Sequence, residues 1–226
     1  NTLRSGFAIM LMPIYSPYSP SVAVTTYVST AVSDGFATAH TFSGQGIGTA
    51  FTGRKICVAA SCGAQAQIIS SLTVAGTSGS KLVEKVSDGG ENLSSMWQVN
   101  DVNTGTTGDI VVTFAGGMSR LGIVVWSIAN AASSVSDTGN DGAGGTLTAD
   151  IDVPANGTCI AIGATQNGQG SMTWSGVDKD VQGNLSSGSF SGGSKDFAAV
   201  QSGLTVSVVT PVSQRPSFVV ASFGPA

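Results

Sequence analysis

Charge is scarce in this chain. Lys, Arg, Asp and Glu make up 10% of the 226 residues, well under half of the roughly 25% usual in soluble domains. The nine basic residues form no run, and the net charge is −4. Without a cluster of cations to neutralise phosphates, DNA and RNA are not expected partners. Long apolar runs are also missing: the longest near the N-terminus is FAIMLMP, far short of the roughly 20 residues that cross a bilayer, so no membrane span is expected. Arg4 precedes too short an apolar core, with no small-residue cleavage site behind it, for a signal peptide to be expected. No stretch has a convincing helical period; only residues 127–135 could hold a turn or two.

Histidine and cysteine are nearly absent too. His40 is the sole histidine and there is no CxxC, so zinc has no pair of ligands at short spacing. The three cysteines are an odd number for a disulfide framework. Cys57 and Cys62 lie five apart on one candidate strand, face opposite sides and sit about 16 Å apart, so they do not pair without a bend. Cys57 with Cys159 stays open on geometry. The favoured reading is three small buried hydrophobes.

What is abundant is β pattern. SVAVTTYVSTAV alternates with Val22, Val24, Val28 and Val32 on one face, a half-buried strand. The organising stretch is Gly53–Gly76, GRKICVAASCGAQAQIISSLTVAG, read as a buried strand, a small-residue bend and a second strand. GDIVVTFA and LGIVVWSIA, separated by GGMSR, read as a central antiparallel hairpin. ASSVSDTGNDGAGG reads as a linker near the middle. TLTADIDVP alternates strictly, with Leu147, Ala149, Ile151 and Val153 inward. NGTCIAIGATQNGQGSMTWSG echoes the organising stretch, with Cys159 standing for Cys57 and Gly176 for Gly76, as in a sandwich of two related Greek-key halves. SSGSFSGGS reads as a loop. SGLTVSVVTP and PSFVVASFG are two final strands.

The whole is expected to be all-β: an antiparallel two-sheet sandwich, jelly-roll-like, over residues 21–226, behind an extended N-terminal arm at 1–20. MPIYSPYSP places three of the seven prolines beside two tyrosines, which favours extended backbone. Pro13, Tyr15, Pro17, Tyr18 and Pro20 are the candidate docking residues of that arm; an edge strand tucked into the sandwich is the alternative.

Catalytic chemistry finds little to work with. The serines have no positioned base and no G-x-S-x-G elbow. His40, without a Cys or carboxylate neighbour in sequence, reads as structural. The scattered acids form no recognisable glycosidase pair. DTGNDG matches a calcium loop only faintly, lacking the terminal glutamate, and reads as a turn. No catalytic residue, cofactor or metal is assigned. For sugar binding, which uses an exposed aromatic beside polar groups, Trp174 with Asp178 is the candidate glycan contact and Trp97 is second; Trp126 reads as core.

The order of motifs, GRKICVAASCG, SSLTVAG, SSMWQVNDVNTGTTGDIVVTFAGGMSRLGIVVWSIANA, TLTADIDVPANGTCIAIGATQ, MTWSG and FVVASFGPA, resembles a β-sandwich module of structural proteins of tailed bacteriophages and gene-transfer particles. The resemblance covers roughly residues 36–226. It implies a non-enzymatic virion protein (capsid decoration, fibre or tail component) assembled in the bacterial host cytoplasm. Its implied partners are copies of itself, other virion proteins and a host-surface glycan. Buried thiols fit such a reducing compartment. The alternative is a secreted, extracellular carbohydrate-binding or adhesion module.

Overall fold

The computed structural model describes residues 21–63, 67–166, 168–211 and 215–226, and among these every regular element is a β-strand. The first half contains β1 (Val24–Ser33), β2 (Ala37–Gly46), β3 (Lys55–Gly63), β4 (Ile69–Val74), β5 (Thr77–Ser78), β6 (Ser80–Val86), β7 (Asn92–Val99), β8 (Thr107–Met118) and β9 (Leu121–Ala129). The second contains β10 (Asp137–Asp141), β11 (Thr146–Val153), β12 (Gly157–Gln166), β13 (Thr173–Ser175), β14 (Asp178–Leu185), β15 (Gly188–Phe197), β16 (Gln201–Val209) and β17 (Ser217–Phe223).

Each half is a sandwich of an inner and an outer sheet. The inner sheets have the orders β1-β9-β3-β7-β6 and β10-β17-β12-β15-β14; the outer sheets are β2-β8-β4-β5 and β11-β16-β13. Chain-adjacent strands mostly alternate between the two sheets of their half, the jelly-roll arrangement. Three buried clusters set the stacking. Ile56, Val58 and Ile123 of the first inner sheet meet Phe42, Leu72 and Val112 of the first outer sheet. Cys57, Val124 and Trp126, on the opposite face, meet Ile160, Phe190 and Val219 of the second inner sheet. Ala161, Phe218 and Val220 then meet Leu147, Val206 and Val208 of the second outer sheet. The expected all-β sandwich architecture is what the structure shows, with four layers where two were expected. Strands β3, β7, β9, β12 and β17 are buried on both faces because each inner sheet lies between its own outer sheet and the other half.

The halves repeat one another in register. Ile56 pairs with Ser127 as Cys159 pairs with Ser222. Lys81 opposes Trp97 and Val83 opposes Met96 with Leu82 bulged between; Lys179 opposes Gly193 and Val181 opposes Gly192 with Asp180 bulged between. Leu-Thr-Val-Ala-Gly at 72–76 corresponds to Met-Thr-Trp-Ser-Gly at 172–176, Thr73 opposing Val111 and Thr173 opposing Val209. Gly76 (φ 79°) and Gly176 (φ 86°) both end their strands in the left-handed region, where glycine avoids a steric cost. The expected echo is therefore present, but Cys159 corresponds to Ile56, not Cys57. Cys57 faces the seam between the halves, whereas Cys159 faces its own sandwich core.

Several local expectations are corrected. Strands β8 and β9 are not a hairpin: β8 pairs with β2 and β4, and β9 with β1 and β3, so the chain crosses between sheets at Arg120 (φ 67°). Both are nonetheless interior strands of their sheets, but only β9 is buried on both faces; Val111 and Ala115 of β8 lie on the outside of the first outer sheet. For the same reason β3 and β4 belong to different sheets and are not a pair. In β1 a bulge between Tyr27 and Ser29 breaks the alternation, leaving Val22, Val24 and Val32 exposed while Tyr27 and Ala31 pack against the core. Of SSGSFSGGS only Ser186 and Ser187 are a turn; from Gly188 on it is the start of β15, buried through Gly193, and its glycines serve close approach: a Cβ on Gly192 would lie 2.8 Å from the Trp126 ring. The central linker contains β10, paired with β17.

Candidate functional site

Among the described residues the fold displays two open sheet faces. The outer face of the first outer sheet carries cross-strand rows Ala39–Thr113–Ser71 and Thr41–Val111–Thr73. The second outer sheet carries Thr146–Val209–Thr173, the counterpart of Thr41–Val111–Thr73, and beyond it Thr148–Ser207–Ser175, then Asp150 beside Thr205. No Lys or Arg occurs in any strand of either outer sheet. Neighbouring strands lie about 4.8 Å apart, so these rows set methyl and hydroxyl groups side by side. At one end of the first face Phe36, 78% exposed, lies over Gly117, where a Cβ would come within 2.1 Å of its ring.

Three concavities among the described residues are small. A cavity of about 120 Å³ is lined by residues that include Val24, Gly48, Phe51 and Ser127, and one of about 210 Å³ by residues that include Asp152, Pro154 and Val200. A third, about 280 Å³, borders Lys55, Asn100, Asp101 and Ser133. All fall below the roughly 300–1,000 Å³ of typical small-molecule sites.

Trp174 sits on β13, but its ring is half-buried, tilted 50° against Phe218 at 6.1 Å, and its Nε1 donates to Ser191 Oγ at 2.9 Å. Asp178 is exposed, its carboxylate 3.8 Å from Lys195 Nζ. Trp97 is buried and donates to Ser95 Oγ, the counterpart of Ser191, also at 2.9 Å. The two halves thus hold a tryptophan on the same serine from different strands. Trp126 is core, as expected. The docking-arm residues Pro13, Tyr15, Pro17, Tyr18 and Pro20 lie outside the described residues.

His40 has structural partners: its Nδ1 lies 2.9 Å from Ser33 Oγ, its Nε2 3.0 Å from the Met118 carbonyl, and its ring meets Phe114 edge-on. The three cysteines are free and buried, and burial pushes the Cys57 and Cys62 thiols up to about 12 and the Cys159 thiol higher still. That makes them poor nucleophiles at neutral pH.

The acids of DTGNDG have a different task. Asp137 accepts the backbone N–H of Asp152 at 2.8 Å, and Asp141 accepts that of Thr148 at 3.0 Å. Strand β11 is an edge of its sheet, and these carboxylates from β10 occupy two of its backbone donors, which stitches the edges together and blunts one of them against strand addition. Among the described residues no group of three or more His, Cys, Asp or Glu could hold a metal ion.

Two buried cations escaped the sequence reading. Arg54 is fully buried and donates to the carbonyls of Val102, Gly48, Gly105 and Thr104, holding two loops together without a carboxylate. Lys55 donates to the carbonyls of Ala132 and Ser133 and to Gln98 Oε1, and its Nζ lies 4.7 Å from the centre of the Phe223 ring. Burial pulls its pKa down. The usable signal was adjacent cations abutting a wholly apolar strand in so uncharged a chain. Lys55 ties the connection between the halves to the first inner sheet.

No protein-family model matches this chain, and no curated protein matches it either.

Proposed function

We propose that the chain is a non-enzymatic structural protein of a tailed-phage virion, a capsid decoration, fibre or tail component, acting through self-association and docking on neighbouring virion proteins. One observation carries the reading: the fold is a solid four-layer block whose two outer sheets face away from each other and both lack cations. Apart from Asp109, Asp150 and Asp152 the strands of these sheets carry no charge, and their hydroxyl and methyl groups are less costly to desolvate against protein than charged groups. Jelly-roll sandwiches serve in viral capsids, which supports the reading by analogy of fold; the same fold also serves in lectins, so the analogy does not decide it. The Trp174 indole is half-buried beside Phe218 and its N–H is engaged by Ser191, which counts against a platform for sugar.

The test is assembly of the full chain. Light scattering is expected to show oligomers, and phage particles lacking the protein are expected to bind it. A chain that stays monomeric at high concentration and does not bind such particles contradicts the reading.

A further inference from the structure

The seam between the sandwiches has an apolar centre with polar side chains among and around it, and one of these is informative. At the bulge of β6 the first half places Leu82, packed against the seam cluster that contains Ala221. At the corresponding bulge of β14 the second half places Asp180, whose carboxylate accepts the Trp126 indole N–H at 2.8 Å. Trp126 is itself the counterpart of Ala221, since these residues oppose Cys57 and Ile160. At this place one half sets a leucine against the apolar cluster that holds Ala221, and the other sets a carboxylate on an indole.

We propose that Asp180 makes the seam between the two sandwiches pH-sensitive, the contact tightening as the carboxylate takes up a proton. The groups around it are Tyr27 on β1, Trp126 on β9, Asp178 and Lys179 on β14, and Ser194, Lys195 and Asp196 on β15. Lys179 turns to Ser171 Oγ and the Met172 carbonyl, and Lys195 lies 3.8 Å from Asp178. The Asp196 carboxylate accepts the Thr25 N–H at 3.1 Å. Burial raises the pKa of Asp180 and the charges of Asp178 and Asp196 raise it further, while hydrogen bonds from Trp126 and Ser194 oppose the rise. A carboxyl raised in the folded state binds its proton more tightly there than in the unfolded chain. Its stabilising contribution is therefore complete below the ordinary carboxylate value of about 3.9 and is lost as pH rises through the folded value. Either protonation state leaves an oxygen to accept the indole N–H, so the bond survives while the buried charge is removed.

The test follows the Trp126 indole resonance, identified by its loss in Trp126→Phe, and the thermal midpoint of the full chain between about pH 4 and pH 8. The native chain is expected to titrate at Trp126 with a midpoint above the usual carboxylate range. Asp180→Asn is expected to abolish that titration, and the native-minus-variant difference in Tm is expected to rise on acidification. Asp178→Asn and Asp196→Asn leave Asp180 in place and are each expected to lower the midpoint. A Trp126 signal that does not titrate, that titrates unchanged in Asp180→Asn, or that ignores both neighbouring variants overturns the proposal.

Discussion

The two sandwiches differ most where they touch. They share strand order, register and the β6/β14 bulge, but at the seam they exchange large for small. Ser94 Oγ bonds Ser217 Oγ at 2.8 Å; at the counterparts of those two positions, Phe190 lies on Gly122, where a Cβ would come within 2.4 Å of its ring. Met96 shares the seam with Ala221, while Gly192 makes room for Trp126. Each contact appears twice with partners reversed, as across a two-fold axis relating two copies. What the repeat retains is the volume of a pair, not the identity of either member, as close packing requires.

The largest expected way to break this relation is Trp126→Ala, which should cost about 3–5 kcal/mol by denaturant unfolding. Adding Gly192→Met recreates the first half's pairing and should recover part of the loss; no recovery would mean that the two contacts are not equivalent. Next comes Arg54→Met. Its counterpart is Gly157, so the clamp exists in one half only, and losing hydrogen bonds from a charged donor should cost about 2–3 kcal/mol. Exchange of loop amides near residues 47–53 and 102–106 should accelerate while the corresponding second-half loops stay unchanged.

Much of the fold was legible because burial on two faces leaves a plain mark. Ile56–Ala60 reads as a strand covered on both faces and lies inside its sheet; GTCIAIGATQ, the start of the echo, takes the same place in the second half. Pairing was less legible. GDIVVTFA and LGIVVWSIA carry every local sign of a hairpin, yet a short connection can equally step from one sheet to the other, and only the partner strands decide. The glycines of SSGSFSGGS were read as a loop because their purpose, space for Trp126 and close strand packing, lies in a segment about 65 residues away. The echo was read through its cysteines, one position out of step, because burial favours small thiols on either face of an inner strand.

Smaller effects sharpen the comparison at the edges. Asp137→Ala and Asp141→Ala each free a backbone donor on β11 and should cost about 1 kcal/mol, without a change in melting behaviour when calcium is added. In the first half, the Asp141 position is held by Ala31 on β1, and that edge instead uses Ser29 Oγ to the Gly46 carbonyl. Ser29→Ala should therefore cost no more than either aspartate substitution. The smallest effect is chemical: the three thiols should resist alkylation in the native chain and react together on unfolding.

Amide hydrogen exchange measured strand by strand tests most directly whether two repeats share one seam. With both faces of each inner sheet covered, β3 and β12 should open only with global unfolding, at the same free energy and with the same denaturant dependence. Exchange of β12 through an opening that leaves β3 protected, or the reverse, would contradict a seam that binds the halves into one unit.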